Sequence, residues 1–101
     1  MRSRDVRRVY DEARPLRGRR MVVFLAPGTG AAAAVAGRRV GGAVQRNRAR
    51  RILRAAWLQV ATQVAEGQDA VQVARAGIRG AKTQDLVAEM TELLHAGTTR
   101  R

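Results

Sequence analysis

The residues of this chain that could bear chemistry fall into one dense set and several sparse ones. Between Gly37 and Arg54 stand Arg38, Arg39, Arg46, Arg48, Arg50, Arg51 and Arg54, seven of the twenty basic residues. Arginine carries a permanent charge on a planar fork that pairs with phosphate at two points and stacks on bases, so such a run points to nucleic acid. The carboxylates are Asp5, Asp11, Glu12, Glu66, Asp69, Asp85, Glu89 and Glu92, and the only histidine is His95. Cleavage of a phosphodiester by protein groups needs either a metal held by clustered carboxylates or an oriented acid–base pair. Scattered acids and one histidine near a chain end supply neither, and a cation at His95 suits the end of a helix dipole. Pro27-Gly28-Thr29-Gly30 reads as a turn, because no helix opening with Lys and Ser or Thr follows to make a phosphate loop.

Twenty basic against eight acidic residues leave a net charge of +12 on 101 residues. A chain of this length forms one domain that buries only about 60 to 65% of its unfolded surface, enough for a modest core and too little for a large enclosed active site. The charge is that of a nucleic-acid binder, and its clustering separates it from a merely solvated basic surface. Without cysteine there are neither disulfides nor thiolate metal sites, which fits a reducing cytosol. No apolar run approaches a membrane span, and the charged start Met1-Arg2-Ser3-Arg4-Asp5 is followed by no signal core. A cytoplasmic protein with no membrane partner is expected.

The dense set needs a helix to organise it. At about 100° per residue, a helix after Gly42 places Arg46, Asn47, Arg50, Arg51 and Arg54 within one arc, less than half the circumference. The complementary arc carries Ala49, Ile52, Leu53, Ala56 and Val60, with Val64 and Trp57 at its edge, an apolar stripe suited to docking on a sheet. Trp57 therefore reads as packed rather than stacked on a base. The helix is expected from about Ala43 to Ala65, stopping at Gly67.

Val40-Gly41-x-Ala43-Val44-x-Arg46-Asn47-Arg48-x-Arg50-Arg51-x-x-Arg54 resembles the signature of the bacterial ribonuclease P protein component. In that family a Lys-Lys-Val-Gly-Asn-Ala-Val segment runs into an Arg-Asn-Arg helix. The match is direct over residues 37–54, and weaker flanks extend it to most of the chain. Gly42 stands where the family usually has Asn, which replaces a capping side chain by the next-best residue. Gly37-Arg38-Arg39 replaces Ser-Lys-Lys and keeps the charge.

The flanks supply the other elements. Val6, Val9, Tyr10 and Ala13 recur at helical spacing behind Ser3 as a candidate cap, and Pro15 ends that helix. Leu16 to Gly18 reads as a short edge strand, and Arg20 to Ala26 as a strand buried on both faces. Ala31 to Ala36 is ambiguous, since alanine favours helix, but its flanking Gly30 and Gly37 and the resemblance make it a strand, expected to form an antiparallel hairpin with the strand of Phe24. Asp69 to Arg75 alternates as a strand with Val71 and Val73 on one face. Gly77 to Ala81 reads as a flexible loop. Thr83 can cap a last helix with Leu86, Met90, Leu93 and Leu94 as its stripe, closed by Gly97.

These elements make one α+β domain over residues 1–97, order α-β-β-β-α-β-α, a four-stranded sheet packed by the long Arg-rich helix, and a disordered tail at 98–101. The resemblance implies a fold like the second domain of a small-subunit ribosomal protein, with a left-handed βαβ crossover where base rates favour the right-handed form. It also implies a function: the RNA-binding subunit of ribonuclease P, assisting a catalytic RNA in removing the 5′ leader of precursor tRNA. No cofactor is then held by the protein alone, magnesium accompanies the catalytic RNA, and no DNA partner is expected. Arg46, Asn47, Arg48, Arg50, Arg51 and Arg54 would contact the catalytic RNA, with Arg38 and Arg39 extending that surface. Tyr10 and Phe24 are candidates for the floor of a leader cleft between the sheet and the long helix, although both also fit plain core packing. The competing readings are a ribosomal-type RNA-binding structural protein and, least supported by the acids, a self-sufficient nuclease.

If five or six phosphates are neutralised by the clustered arginines, log K for RNA falls with log salt at a slope of about −4 to −5. Binding isotherms at several salt concentrations measure this slope, and a nearly flat dependence excludes the basic-helix mode.

Overall fold

Alternation along four strands sorts the apolar residues onto the two faces of one sheet, and each face is covered by different helices. The computed structural model describes residues 1–99. Its elements are α1 (Ser3–Glu12), β1 (Arg14–Arg17), β2 (Met21–Pro27), β3 (Ala32–Val35), α2 (Ala43–Val60), β4 (Gln68–Ala74) and α3 (Thr83–Thr99). This is the α-β-β-β-α-β-α order read from the sequence. Met21, Val23, Ala70 and Ala74 pack with Ala49, Leu53, Ala56 and Val60 of α2 and with Leu86 and Met90 of α3. On the opposite face Ala26 and Val71 pack with Val9 of α1, flanked by partly buried Phe24, Ala33, Val35 and Val73.

The strand order is β1-β2-β4-β3. β1 and β4 both run antiparallel to β2, and β3 pairs only with β4, parallel to it, with Ala34 opposite Gln72. The expected antiparallel hairpin between β2 and Ala31–Ala36 is therefore not formed. The strand exists, but β4 takes the place beside β2 and moves β3 to the far edge. A short loop allows a hairpin without requiring one, and seven-residue β4 pairs along the whole of β2, where four-residue β3 would leave part of that strand's backbone without partners.

One carboxylate fastens this arrangement. Asp69, 4% exposed, accepts hydrogen bonds from the backbone N–H groups of Thr29, Gly30 and Ala31 at 2.9, 3.0 and 2.9 Å. It also pairs with the guanidinium of Arg8 on α1, which donates to the carbonyl of Pro27 at 2.8 Å as well. Gly28 leaves the space this requires, since a Cβ there would collide with the Asp69 carboxylate.

The helix ends depart from expectation in a consistent way. Ser3 and Thr83 are not caps but the first helical residues. The caps Arg2, Gly42 and Lys82 have their N–H groups held by side chains three residues on: Asp5 at 3.1 Å, Gln45 at 3.1 Å and Asp85 at 2.8 Å. That is the reciprocal half of a capping box. Gly41, at φ 140°, makes the turn into α2 that a side chain would resist. α2 ends at Val60 and tightens into a 3₁₀ turn over Ala61–Gln63, short of Ala65, where the β-branched Val60, Thr62 and Val64 weaken the helix. Gly67, at φ 79°, then reverses the chain into β4. The stretch expected as a flexible loop carries a 3₁₀ turn with buried Ile78, and Ala81 is buried beside it. α3 continues through Gly97, since glycine permits a helix stop without imposing one. Of the tail expected at 98–101, Thr98 and Thr99 belong to α3, and Arg100 and Arg101 lie outside the described residues.

Burial works against the charge of Asp69, but the N–H groups of Ala31, Thr29 and Gly30 and the Arg8 guanidinium outweigh it, and its pKa is lowered. A carboxylate so shifted contributes its full stability above the unfolded pKa of about 3.9 and loses it as pH falls through the lower folded value. Asp69→Ala should cost about 3 kcal/mol at neutral pH by stranding three N–H donors and Arg8. The gap between wild type and variant, measured by chemical unfolding, should narrow only below about pH 4. A gap that stays constant into strong acid would contradict the assignment.

Candidate nucleic-acid interface

The arginine helix obtains its orientation from its buried side. Ala49, Ile52, Leu53, Ala56, Trp57 and Val60 are buried against the sheet and α3, so α2 cannot rotate without exposing apolar area worth about 2 kcal/mol for Leu53 alone. The opposite arc must then face outward. Asn47, Arg51 and Arg54 are exposed, and Arg46 and Arg50 are partly so. Arg50 donates to the Asn47 side-chain carbonyl, and the buried Nε of Arg46 has no partner. Arg38 and Arg39 are exposed on a 3₁₀ turn, Arg38–Val40, that leads to the start of α2, rather than on the strand itself.

Arg48 differs from its neighbours. It points away from this arc and donates to the carbonyl of Ala81 at 2.6 Å, tying α2 to the segment before α3.

The pairing of charges sharpens the contrast. Away from α2, Arg8 pairs with Asp69 and Glu12, and Arg20 with Glu89 at 3.0 Å. Among the described residues no carboxylate pairs with an arginine of α2. The arc is a set of uncompensated cations held close together, a cost that phosphate would relieve. Exposed apolar residues interrupt it, Val44 at 82% and Leu58 at 79%. Among the described residues no group of three or more His, Cys, Asp or Glu side chains could hold a metal ion, and no helix formed by them is long and apolar enough to cross a membrane.

Tyr10 and Phe24 are brought together, with ring centroids 4.9 Å apart and planes at 66°, an edge-to-face contact. They meet on the α1 side of the sheet, opposite the face on which α2 packs. They cannot therefore floor a cleft between the sheet and the long helix, because strand alternation sends Phe24 away from it. Burial pushes the Tyr10 hydroxyl pKa up, yet the residue is still 39% exposed. α1 lies over β2 and β4, and partly buried Ala33, Val35 and Val73 extend this apolar face toward the β3 edge.

Two residues carry more than the sequence reading assigned them. Asp69 was visible only as one of the scattered acids. Gln72 lies between Ala70 and Ala74 on the core-facing side of β4, 1% exposed, with its Nε2 unpartnered, a burial that costs about 1 to 3 kcal/mol. The available signal was a polar residue at an inward position of an alternating strand.

A four-stranded sheet with a cationic helix linking its two parallel strands defines a small basic α+β protein whose arginines are concentrated on one helix. The Ribonuclease P family model matches residues 1–97, and the chain belongs to that family, whose members serve tRNA processing as protein components of a ribonucleoprotein. Among solved structures it is similar to the RNase P protein of Staphylococcus aureus, with 19% identity and TM-score 0.77 over 96% of this chain and 92% of that one. It is similar also to the RNase P protein from Thermotoga maritima, with 20% identity and TM-score 0.79 over 95% and 94%. A search of curated proteins finds no match. At these identities the structural likeness establishes the fold.

Arg48→Ala should lower stability by about 1 to 2 kcal/mol, because it strands the carbonyl of buried Ala81. Arg51→Ala and Arg54→Ala, at exposed positions, should stay within about 0.5 kcal/mol of wild type. Thermal unfolding of the three variants checks this, and equal stability for all of them would remove the structural role of Arg48.

Proposed function

We propose that this chain is the protein subunit of a ribonuclease P ribonucleoprotein, binding the catalytic RNA through the outward arc of α2 and the 5′ leader of precursor tRNA beside Tyr10 and Phe24. The observation that carries the reading is the clustering of Arg46, Arg50, Arg51 and Arg54, with Asn47 among them, on the outward arc of one helix, where no carboxylate among the described residues pairs with them. Arg38 and Arg39 extend this cationic surface at the start of α2. The protein contributes affinity and positioning, while bond cleavage and its magnesium ions belong to the RNA. The Tyr10–Phe24 contact on a partly open apolar face supports the leader site, since aromatic platforms hold single strands by stacking. The two surfaces lie on opposite sides of the sheet, which lets one subunit touch the catalytic RNA and the leader at once.

The test mixes the protein with a bacterial ribonuclease P RNA and precursor tRNA at low magnesium. Enhanced 5′ processing is expected, with none from the protein alone. Cleavage by RNA-free protein that is abolished by carboxylate substitutions would overturn the reading. Tyr10→Ala should lower the affinity ratio of precursor to mature tRNA about tenfold. Phe24→Leu should also lower the melting temperature, because Phe24 is packed as well as half open. An unchanged ratio in folded variants of both would remove them from the leader site.

A further inference from the structure

Where α2 passes the edge strand β3 there is a pocket of about 220 Å³ lined by Ala32, Ala33, Arg54, Trp57, Leu58 and Gln72. The alanines of β3 create it: their side chains are too short to fill the space beneath the helix that valine or isoleucine would occupy. At its inner end lies Gln72, 1% exposed, whose Nε2 has no hydrogen-bond partner. Buried amides are normally satisfied, so an unpaired one lining a pocket calls for a ligand with its own polar edge. A carboxamide presents donor and acceptor in one plane, the complement of a base edge. Trp57 and Leu58 supply apolar walls, and Leu58 is left 79% exposed at the mouth. Arg54 joins the pocket to the cationic arc of Arg46 and Arg50 on the same helix.

We propose that this pocket receives a single nucleobase, splayed out of the RNA strand whose phosphates the arginines of α2 hold. Gln72 hydrogen-bonds the polar edge of the base, and Trp57 and Leu58 cover its faces. Single-stranded RNA is recognised in this manner, by bases turned out against aromatic and apolar side chains and read on their edges. The volume is below the range of about 300 Å³ and more typical of drug-sized ligands, and it suits one ring system. The inference rests on the reading that the α2 arc binds RNA, and adds to it a contact that reads a base rather than the backbone.

Trp57 is the only tryptophan in the chain, so the intrinsic emission comes from a residue that lines this pocket. Titration with short oligoadenylate or oligouridylate should change the Trp57 emission, and an abasic ribose-phosphate strand of the same length should not. Gln72→Leu, of similar size, should leave the free protein as stable as wild type or more so, because an unpaired buried amide is lost. The same change should weaken binding of the base-bearing strands about tenfold while leaving the abasic strand unaffected. Ala32→Leu, at the exposed rim, should weaken them by filling the space. Wild-type affinity and an unchanged emission response in both variants would overturn the proposal, as would equal losses on base-bearing and abasic strands, or an emission change with an acidic peptide but none with RNA. Arg50→Ala with Arg51→Ala separates the two readings. If that double variant also keeps full RNA affinity, the cationic arc fails; if it loses affinity while Gln72→Leu does not, only the base pocket fails.

Discussion

The carboxylate of Asp69 sits where three parts of the chain converge, and the topology depends on what it holds there. It is the second residue of β4, it receives the N–H groups of Thr29, Gly30 and Ala31, and it anchors Arg8 of α1. The loop from β2 must run past the end of β4 before β3 can begin, and three backbone donors on that path find their acceptor in Asp69. With the loop tied down, β3 starts at the far edge of the sheet, and the chain must return through α2 to reach β4. The same contact fixes α1 on the opposite face. A buried charge with this many donors is satisfied on all sides, the condition under which burial of an ion is tolerated.

α2 carries two demands that pull against each other. Its inward side supplies much of a small core, and its outward side concentrates arginines that repel one another. The net charge of +12 adds a general self-repulsion opposing the compact state. The fold answers by placing its available acids elsewhere, pairing Glu89 with Arg20 and Asp69 with Arg8, and by turning Arg48 inward onto the Ala81 carbonyl. What remains on the arc is charge without a carboxylate partner, at a cost in stability. Helix-initiating backbone groups are handled economically as well: Asp5, Gln45 and Asp85 each satisfy an N–H three residues earlier, so Gly42 can start α2 without a capping side chain of its own.

Alanine in β3 has a consequence beyond its weak strand propensity. Small side chains on an edge strand let α2 approach closely and leave the space above Gln72 unfilled. The edge thus joins the cationic arc, through Arg54, to the sheet face that carries Tyr10 and Phe24, through Ala33.

The sequence by itself determined which segments are helices and strands, that α2 has one apolar and one cationic side, and that the eight acids form no obvious catalytic cluster along the chain. These are consequences of residue type and of periods of 3.6 and 2, which are local and survive being read one window at a time. The cationic arc was legible for the same reason, because helical geometry alone places Arg46, Arg50 and Arg54 together. Only the tertiary structure decided that β3 pairs with β4 and not with β2, that Tyr10 and Phe24 meet on the face away from α2, that Arg48 is committed to a carbonyl, and that Asp69 and Gln72 are buried with such different degrees of satisfaction. Each of these depends on partners distant in sequence, chosen by the apolar area they bury and the backbone donors they satisfy. No local pattern encodes that choice, since an alanine-rich strand after a short turn satisfies a hairpin and an edge strand equally well until β4 competes for the same neighbour.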